Sequence, residues 1–182
     1  MSDHGQSGFY LDQYEALNTV LSQLEMEEQK TWLIGVSFAL LDWAEKFPME
    51  LEHTVIVETG GMKGRQEEMV RQDLHAKLKS AFGLATIQSE YGMTELLSQA
   101  YSLRDGVFHS PSWMKLLIRD EEDPFDVRRA GKGTINIIDL ANIHSCSFIA
   151  TDDVGLINEN GSFEVMGRMD GSDLRGCSLL VV

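Results

Sequence analysis

The spacing of apolar and polar positions divides the chain into two unlike halves. Residues 11–28 place Tyr14, Leu17, Leu21 and Leu24 at steps of three and four, the spacing of one face of an amphipathic helix. The run TWLIGVS at 31–37 predicts a short buried strand. Residues 38–47 then return to helical spacing until Pro48 stops them. TVIV at 54–57 predicts a second buried strand, and it runs directly into ETGGMKGR. The next helix carries Val70, Leu74, Leu78 and Ala81 on one face and ends at Gly83. A third short strand at 84–87 leads into SEYGMTE at 89–95. Strands alternating with helices predict an α/β fold with a parallel sheet. Ligands in such sheets gather at the carboxyl ends of the strands, where both ETGG and SEYGMTE fall.

After Tyr101 the pattern changes. Residues 113–119, 133–140, 146–151 and 162–166 read as strands, separated by turn signals such as Asp123-Pro124 and Glu159-Asn160-Gly161. The expected architecture is α/β: a parallel-sheet subdomain over residues 1–104, then a β-rich subdomain over 105–182, either a small barrel or an antiparallel sheet. No linker separates the halves, so they are expected to share a core.

With 43% hydrophobic residues in 182, the chain can bury a core as one domain or as part of a larger one. Its formal charge of -14 is spread along the sequence. Such a surface repels nucleic-acid backbones and anionic membranes, and neither is an expected partner. Local backbone N–H groups and a bound cation still allow a phosphate ligand. The longest apolar stretch, 32–44, contains Ser37 and Asp42 and is too short to span a bilayer. The two cysteines, Cys146 and Cys177, and the lack of a secretory pattern before Gln6 make a cytoplasmic protein with free thiols the expectation.

Candidate chemistry gathers at four places. In SEYGMTE, Tyr91 offers an aromatic face to a base and Gly92 lets backbone approach a phosphate. Thr94 supplies a hydroxyl donor, and Glu95 a hard oxygen ligand for magnesium. The same residues also suit a strand followed by a helix capped at Thr94. In ETGGMKGR, Gly60 and Gly61 allow a flat heterocycle to lie against the main chain, with Lys63 and Arg65 behind; a tight strand-to-helix turn satisfies the pattern equally. It is not a P-loop, because the Gly-Lys-Ser/Thr spacing is absent.

Asp152 and Asp153 in FIATDDVG sit at the end of a predicted strand, as acceptors for a ribose diol or as a solvated turn. Gly167 and Arg168 place a guanidinium after another strand. Cys146 reads as a core cysteine, and His144 with Cys146 is only half of a metal site. His53, His75 and His109 are scattered, with one of them expected in the core. No G-x-S-x-G elbow supports a serine hydrolase.

The order YGMTE, TDDVG, GRMD resembles the adenylate-forming acyl ligase superfamily. ETGGMKGR, SEYGMTELLSQAYS, DLANIHSCSFIATDDVG and SDLRGC are similar to one branch of it, the LuxE-like acyl-protein synthetases. The resemblance runs from about Gly8 to near the end of the chain. It implies ATP and AMP as ligands, with Tyr91, Gly60 and Gly61 flanking the adenine and Thr94 on the α-phosphate. Glu95 would hold Mg2+, and Asp153 would take the ribose hydroxyls with Arg168 beside it. Asp170 would match the hinge to a small mobile domain.

Departures accompany these likenesses. The superfamily's threonine-glycine-aspartate is Thr151-Asp152-Asp153 here, and the segment after Arg168 is about one residue longer. No serine/threonine/glycine-rich phosphate loop and no domain with a catalytic lysine occur in the sequence. The chain is therefore expected to match the C-terminal portion of a longer ligase.

In the same family the activated acyl group passes to a cysteine near the C-terminus, and RGC places Cys177 there with Arg175 beside it. A buried cysteine leading into residues 179–182 is the alternative. The leading expectation is ATP-dependent activation of a carboxylic acid, such as a fatty acid, followed by transfer to a thiol, including one on a partner protein. Its rivals are a Cys177-dependent acyltransferase without adenylation and a non-catalytic nucleotide-binding fragment.

Overall fold

The computed structural model describes residues 3–60 and 70–169. In the first half, α1 (Tyr14–Met26), β1 (Thr31–Val36), α2 (Ser37–Lys46), β2 (Thr54–Thr59), α3 (Arg71–Phe82) and β3 (Gln88–Tyr91) follow the expected alternation. Strands β1, β2 and β3 are parallel, and β4 (Ala100–Ser102) closes the sheet antiparallel to β3. The helical stripes bury Leu17, Leu21, Leu40, Leu41, Leu74 and Leu78 with Ile56 and Ile87 of the sheet region. Trp43 stacks on Phe82 at 4.3 Å within this core. The alternation of β1 leaves Trp32, Ile34 and Val36 exposed on the other face.

The second half is one antiparallel sheet. It comprises β5 (Val107–Phe108), β6 (Met114–Arg119), β7 (Val127–Arg128), β8 (Gly131–Asp139), β9 (Phe148–Ile157) and β10 (Phe163–Arg168), in the spatial order β5-β10-β9-β8-β6-β7. The sheet curls into a half-barrel, so it combines the two expected alternatives. Its core joins Phe108, Met114, Ile118, Ile135, Ile137 and Phe163 to Tyr91, Leu96 and Ala100 from the first half. SEYGMTE thus sits where the two sheets meet. Among the described residues, no helix is long and apolar enough to cross a membrane.

Three expectations are corrected. The apolar stretch 84–87 is not a strand: ladder pairing to β2 starts at Val57 opposite Gln88, after the chain has turned back from α3. Ile87 is nevertheless buried in the first core, which accounts for the apolar signal. No helix follows SEYGMTE either. A turn, with Leu96 N–H donating to Met93 O, sends the chain back into β4. Finally, TDDVG lies inside β9 and not at a strand end. The register with β8 shifts between Thr134 and Asn136, which face Val154 and Ala150. Residues 151–153 therefore oppose Ile135 alone, and the bulge re-aims the two aspartates.

Candidate nucleotide site

The parallel register of β2 and β3 puts Thr59 opposite Glu90, so Gly60 and Gly92 leave neighbouring strand ends on one edge of the sheet. Gly60 has φ +74°, a conformation costly for any residue with a Cβ. A Cβ on Gly92 would come within 3.2 Å of Gln99 Cγ. On the exposed side of these strand ends the Glu90 carboxylate accepts from Thr59 Oγ1 at 3.0 Å and from the Tyr101 hydroxyl at 2.8 Å. Burial together with the Glu90 hydrogen bond and charge pushes the Tyr101 phenol up to about 12.

Tyr91 joins the two sheets. Its ring meets Phe108 and Phe163 edge-on, at 6.1 and 5.5 Å, and its hydroxyl donates to Asp153 Oδ2 at 2.8 Å. Burial first, then the Asp153 charge and hydrogen bond, raise the phenol above its ordinary range and keep it a donor. Asp153 is held in turn by β9 and β10. Its N–H donates to Thr151 Oγ1 at 3.1 Å, and the Thr151 hydroxyl donates to Ile135 O at 2.7 Å across the bulge. Arg168, the register partner of Asp153, brings Nε to 3.6 Å from Asp153 Oδ1 and donates from Nη2 to Asp152 Oδ2 at 3.0 Å.

Asp152, where the superfamily pattern has glycine, is therefore a partly exposed ion-pair partner of Arg168 within β9 and not a turn residue. Two carboxylates share that guanidinium. A carboxylate presents about four acceptor sites, so Asp153 retains capacity to accept hydroxyl groups beside Tyr91.

Thr94 and Glu95 are exposed in the turn that follows Gly92. The turn is anchored from beneath by Asp139 at the end of β8, a residue with no reading from sequence. Asp139 is fully buried. Its carboxylate accepts from Leu97 N–H and Ser98 N–H at 2.9 Å each, from Ser98 Oγ at 2.7 Å and from Ala141 N–H at 3.1 Å. Burial disfavours its charge, but the Ser98 hydroxyl and these N–H groups outweigh burial and hold the carboxyl below its ordinary range. Asn142 Nδ2 donates to Glu95 O at 2.8 Å and completes the anchor. The only trace of it in the sequence is an aspartate one residue before a short turn, which satisfies many roles.

The structure thus brings together Gly60, Tyr91, Gly92, Asp153 and Arg168, with Thr94 and Glu95 on the adjoining turn. Gly61, Lys63, Arg65, Asp170, Arg175 and Cys177 lie outside the described residues. Cys146 is exposed, with its thiol on Phe148 O at 3.3 Å. It is not the core cysteine expected, because β9 begins only at Phe148 and leaves Cys146 in the preceding loop. No group of three metal-ligating side chains occurs among the described residues, so His144 and Cys146 have no completing partners there. His75 is the histidine in the core, hydrogen-bonded to Ser89 Oγ at 3.2 Å.

The fold is similar to ATP-bound MatB from Rhodopseudomonas palustris, with TM-score 0.62 and 16% identity over 85% of this chain and 33% of that one. It is also similar to coronafacic acid ligase from Pectobacterium brasiliense, with TM-score 0.58 and 18% identity over 84% of this chain and 32% of that one. The inhibitor-bound N-terminal domain of FACL13 from Mycobacterium tuberculosis gives TM-score 0.52 and 16% identity over 83% and 41%. The chain spans about a third of the length of MatB. No curated protein matches its sequence. The architecture is therefore that of the part of these proteins that the matches cover. The family model for acyl-protein synthetase, LuxE, matches residues 31–182, a span that contains ETGG, SEYGMTE, TDDVG, GRMD and RGC, and the chain belongs to that family.

Proposed function

We propose that this chain carries the nucleotide-binding part of an enzyme that activates a carboxylic acid, such as a fatty acid, with ATP and passes the acyl group to a thiol. The observation that carries the reading is the hydrogen bond from Tyr91 to Asp153, because it joins two motifs remote in sequence into one site at the edge of a parallel sheet. The ATP-bound MatB likeness supports a nucleotide ligand for this fold.

In this reading Asp153 accepts the ribose hydroxyls, with its orientation set by Thr151 and Tyr91. The Gly60 turn and Tyr91 border the adenine, with Gly61 as the second glycine of that turn. Gly92 admits backbone to the phosphates, and Thr94 donates to the α-phosphate. Arg168, balanced by Asp152 and Asp153, fixes the strand that carries it more than it adds free positive charge.

The donor set fits magnesium held through phosphate: one exposed carboxylate, Glu95, suffices because the ion keeps water and phosphate oxygens. Bound there, magnesium would neutralise phosphate charge. The substrate carboxylate oxygen attacks the α-phosphorus as the bond to pyrophosphate breaks, giving acyl-AMP. A thiolate then attacks the acyl carbon and AMP leaves. Cys177 is the proposed acceptor within this chain, and a thiol on a partner protein the proposed onward one. Positioning and charge neutralisation carry most of the rate.

The test follows pyrophosphate release by the full-length protein given fatty acids, ATP and magnesium. Acid-dependent release that falls by at least about a hundredfold in Glu95→Gln is expected. No acid dependence, or a Glu95→Gln variant as active as the parent, would overturn the proposal.

A further inference from the structure

A buried charged cluster lies on the helix-covered side of the same strand ends, and the chemistry proposed above makes no use of it. Glu58 stands two residues before Gly60 and is 2% exposed. The Ser37 hydroxyl donates to Glu58 Oε1 at 2.9 Å and lies 3.2 Å from the Gly60 carbonyl. Glu58 Oε2 has Arg71 Nε and His75 Nε2 each at 3.7 Å, and among the described residues neither Oε2 nor Arg71 Nε makes a hydrogen bond. The other reach of the cluster is toward the site. His75 Nε2 pairs with Ser89 Oγ, the first residue of SEYGMTE, at 3.2 Å. Arg71 donates from Nη1 to Val165 O of β10 at 3.5 Å and lies over the Phe108 ring at 5.2 Å.

We propose that Glu58, with Ser37, Arg71 and His75, is a positioning cluster that sets the Gly60 turn and SEYGMTE against β10, assembling the nucleotide site across the two sheets. The inference rests on the nucleotide reading above. Hydrophobic residues of similar volume commonly match or exceed a buried ion pair in stability, so stability alone does not account for charge at this place. The contacts themselves supply a different account. Each partner of Glu58 touches a segment of the proposed site: Ser37 the Gly60 carbonyl, His75 the start of SEYGMTE, and Arg71 the strand that ends in Arg168. Phe108, under Arg71, also packs with Phe163 against the Tyr91 ring. A shift of Arg71 would therefore be felt at Tyr91 through packing as well as at β10.

Glu58→Gln keeps the shape and an acceptor for Ser37 but removes the anion between Arg71 and His75. Calorimetric titration of AMP into the full chain is expected to show affinity about tenfold weaker in Glu58→Gln. Arg71→Lys, which keeps the charge, should recover part of that loss relative to Arg71→Met. Leu78→Ala, buried in the first core, is the control: it lowers the melting temperature as much or more yet leaves AMP affinity within about twofold. Should Glu58→Gln not fold, Ser37→Ala and the Arg71 pair decide the matter by the same titration. AMP affinity equal to the parent in the cluster variants, beside a loss in Asp153→Ala, would overturn the positioning role and leave the nucleotide reading intact. A parent that binds no AMP would overturn both.

Discussion

Tyr91 has its ring against Phe108 and Phe163 and its hydroxyl on Asp153, so packing and polarity meet in one side chain. Tyr91→Phe separates them. The ring contacts survive, and a hydrogen bond to a charged acceptor is lost at a cost of about 1.5–3 kcal/mol. Urea denaturation should show the midpoint falling without a change in slope, since the surface buried is the same. An unchanged midpoint would mean that water replaces the hydroxyl at Asp153 without loss. That Tyr91, Gly92, Asp153 and Arg168 form one candidate set was legible from the motif order. What each touches was not. The SEYGMTE spacing suggests an open aromatic face, whereas the ring lies in a core against Phe108 and Phe163, the nearer of them 17 residues downstream. The pairing of Asp152 was hidden for a similar reason, because its partner Arg168 lies 16 residues away on another strand.

Elements with strong periodicity were the most legible. The stripes of α1 and α3 place Leu17, Leu21, Leu74 and Leu78 in the first core as their spacing requires. Strand β9 was not, because a bulge inside a strand and a turn after one share the same polar composition. The turn after SEYGMTE depends on an element of its own. Asp139, at the end of β8, holds it through hydrogen bonds to residues 97 and 98. Asp139→Asn replaces a charged acceptor with an amide that presents donors to donors, and a loss of about 2–3 kcal/mol is expected.

The pH dependence of that loss has a definite sign. The Asp139 carboxyl is held below its ordinary range in the folded chain. Its contribution is therefore fully present above the unfolded value near about 4 and disappears as pH falls through the lowered folded value. Glu25, accepting from Thr54 Oγ1 and the N–H groups of Glu52 and His53, acts in the same direction despite partial burial that opposes its charge. Stability measured from pH 7 down to 2 should fall less steeply below about pH 4 in Asp139→Asn than in the parent. Equal slopes would show that Asp139 titrates alike in the folded and unfolded chains.

Across the whole molecule, a formal charge of -14 surrounds a site proposed for an anionic nucleotide. Among the described residues, Arg168 and Arg71 are each paired with carboxylates, and backbone N–H groups with an added cation can supply attraction for phosphate. The two sheets meet at Tyr91, Arg71 and the shared second core. That arrangement depends on contacts spanning as many as 94 residues of sequence, which no local pattern encodes. The division of the chain into an α/β part and a β-rich part was legible because it follows local periodicity.

The account's central claim is that these two sheets jointly form a nucleotide site, and AMP titrated calorimetrically into the chain, beside an Asp153→Ala variant, tests it most directly. The expected result is saturable one-to-one binding that weakens at least about tenfold in the variant, while the variant remains folded. Absence of binding by the parent, or equal affinity in Asp153→Ala, would contradict it.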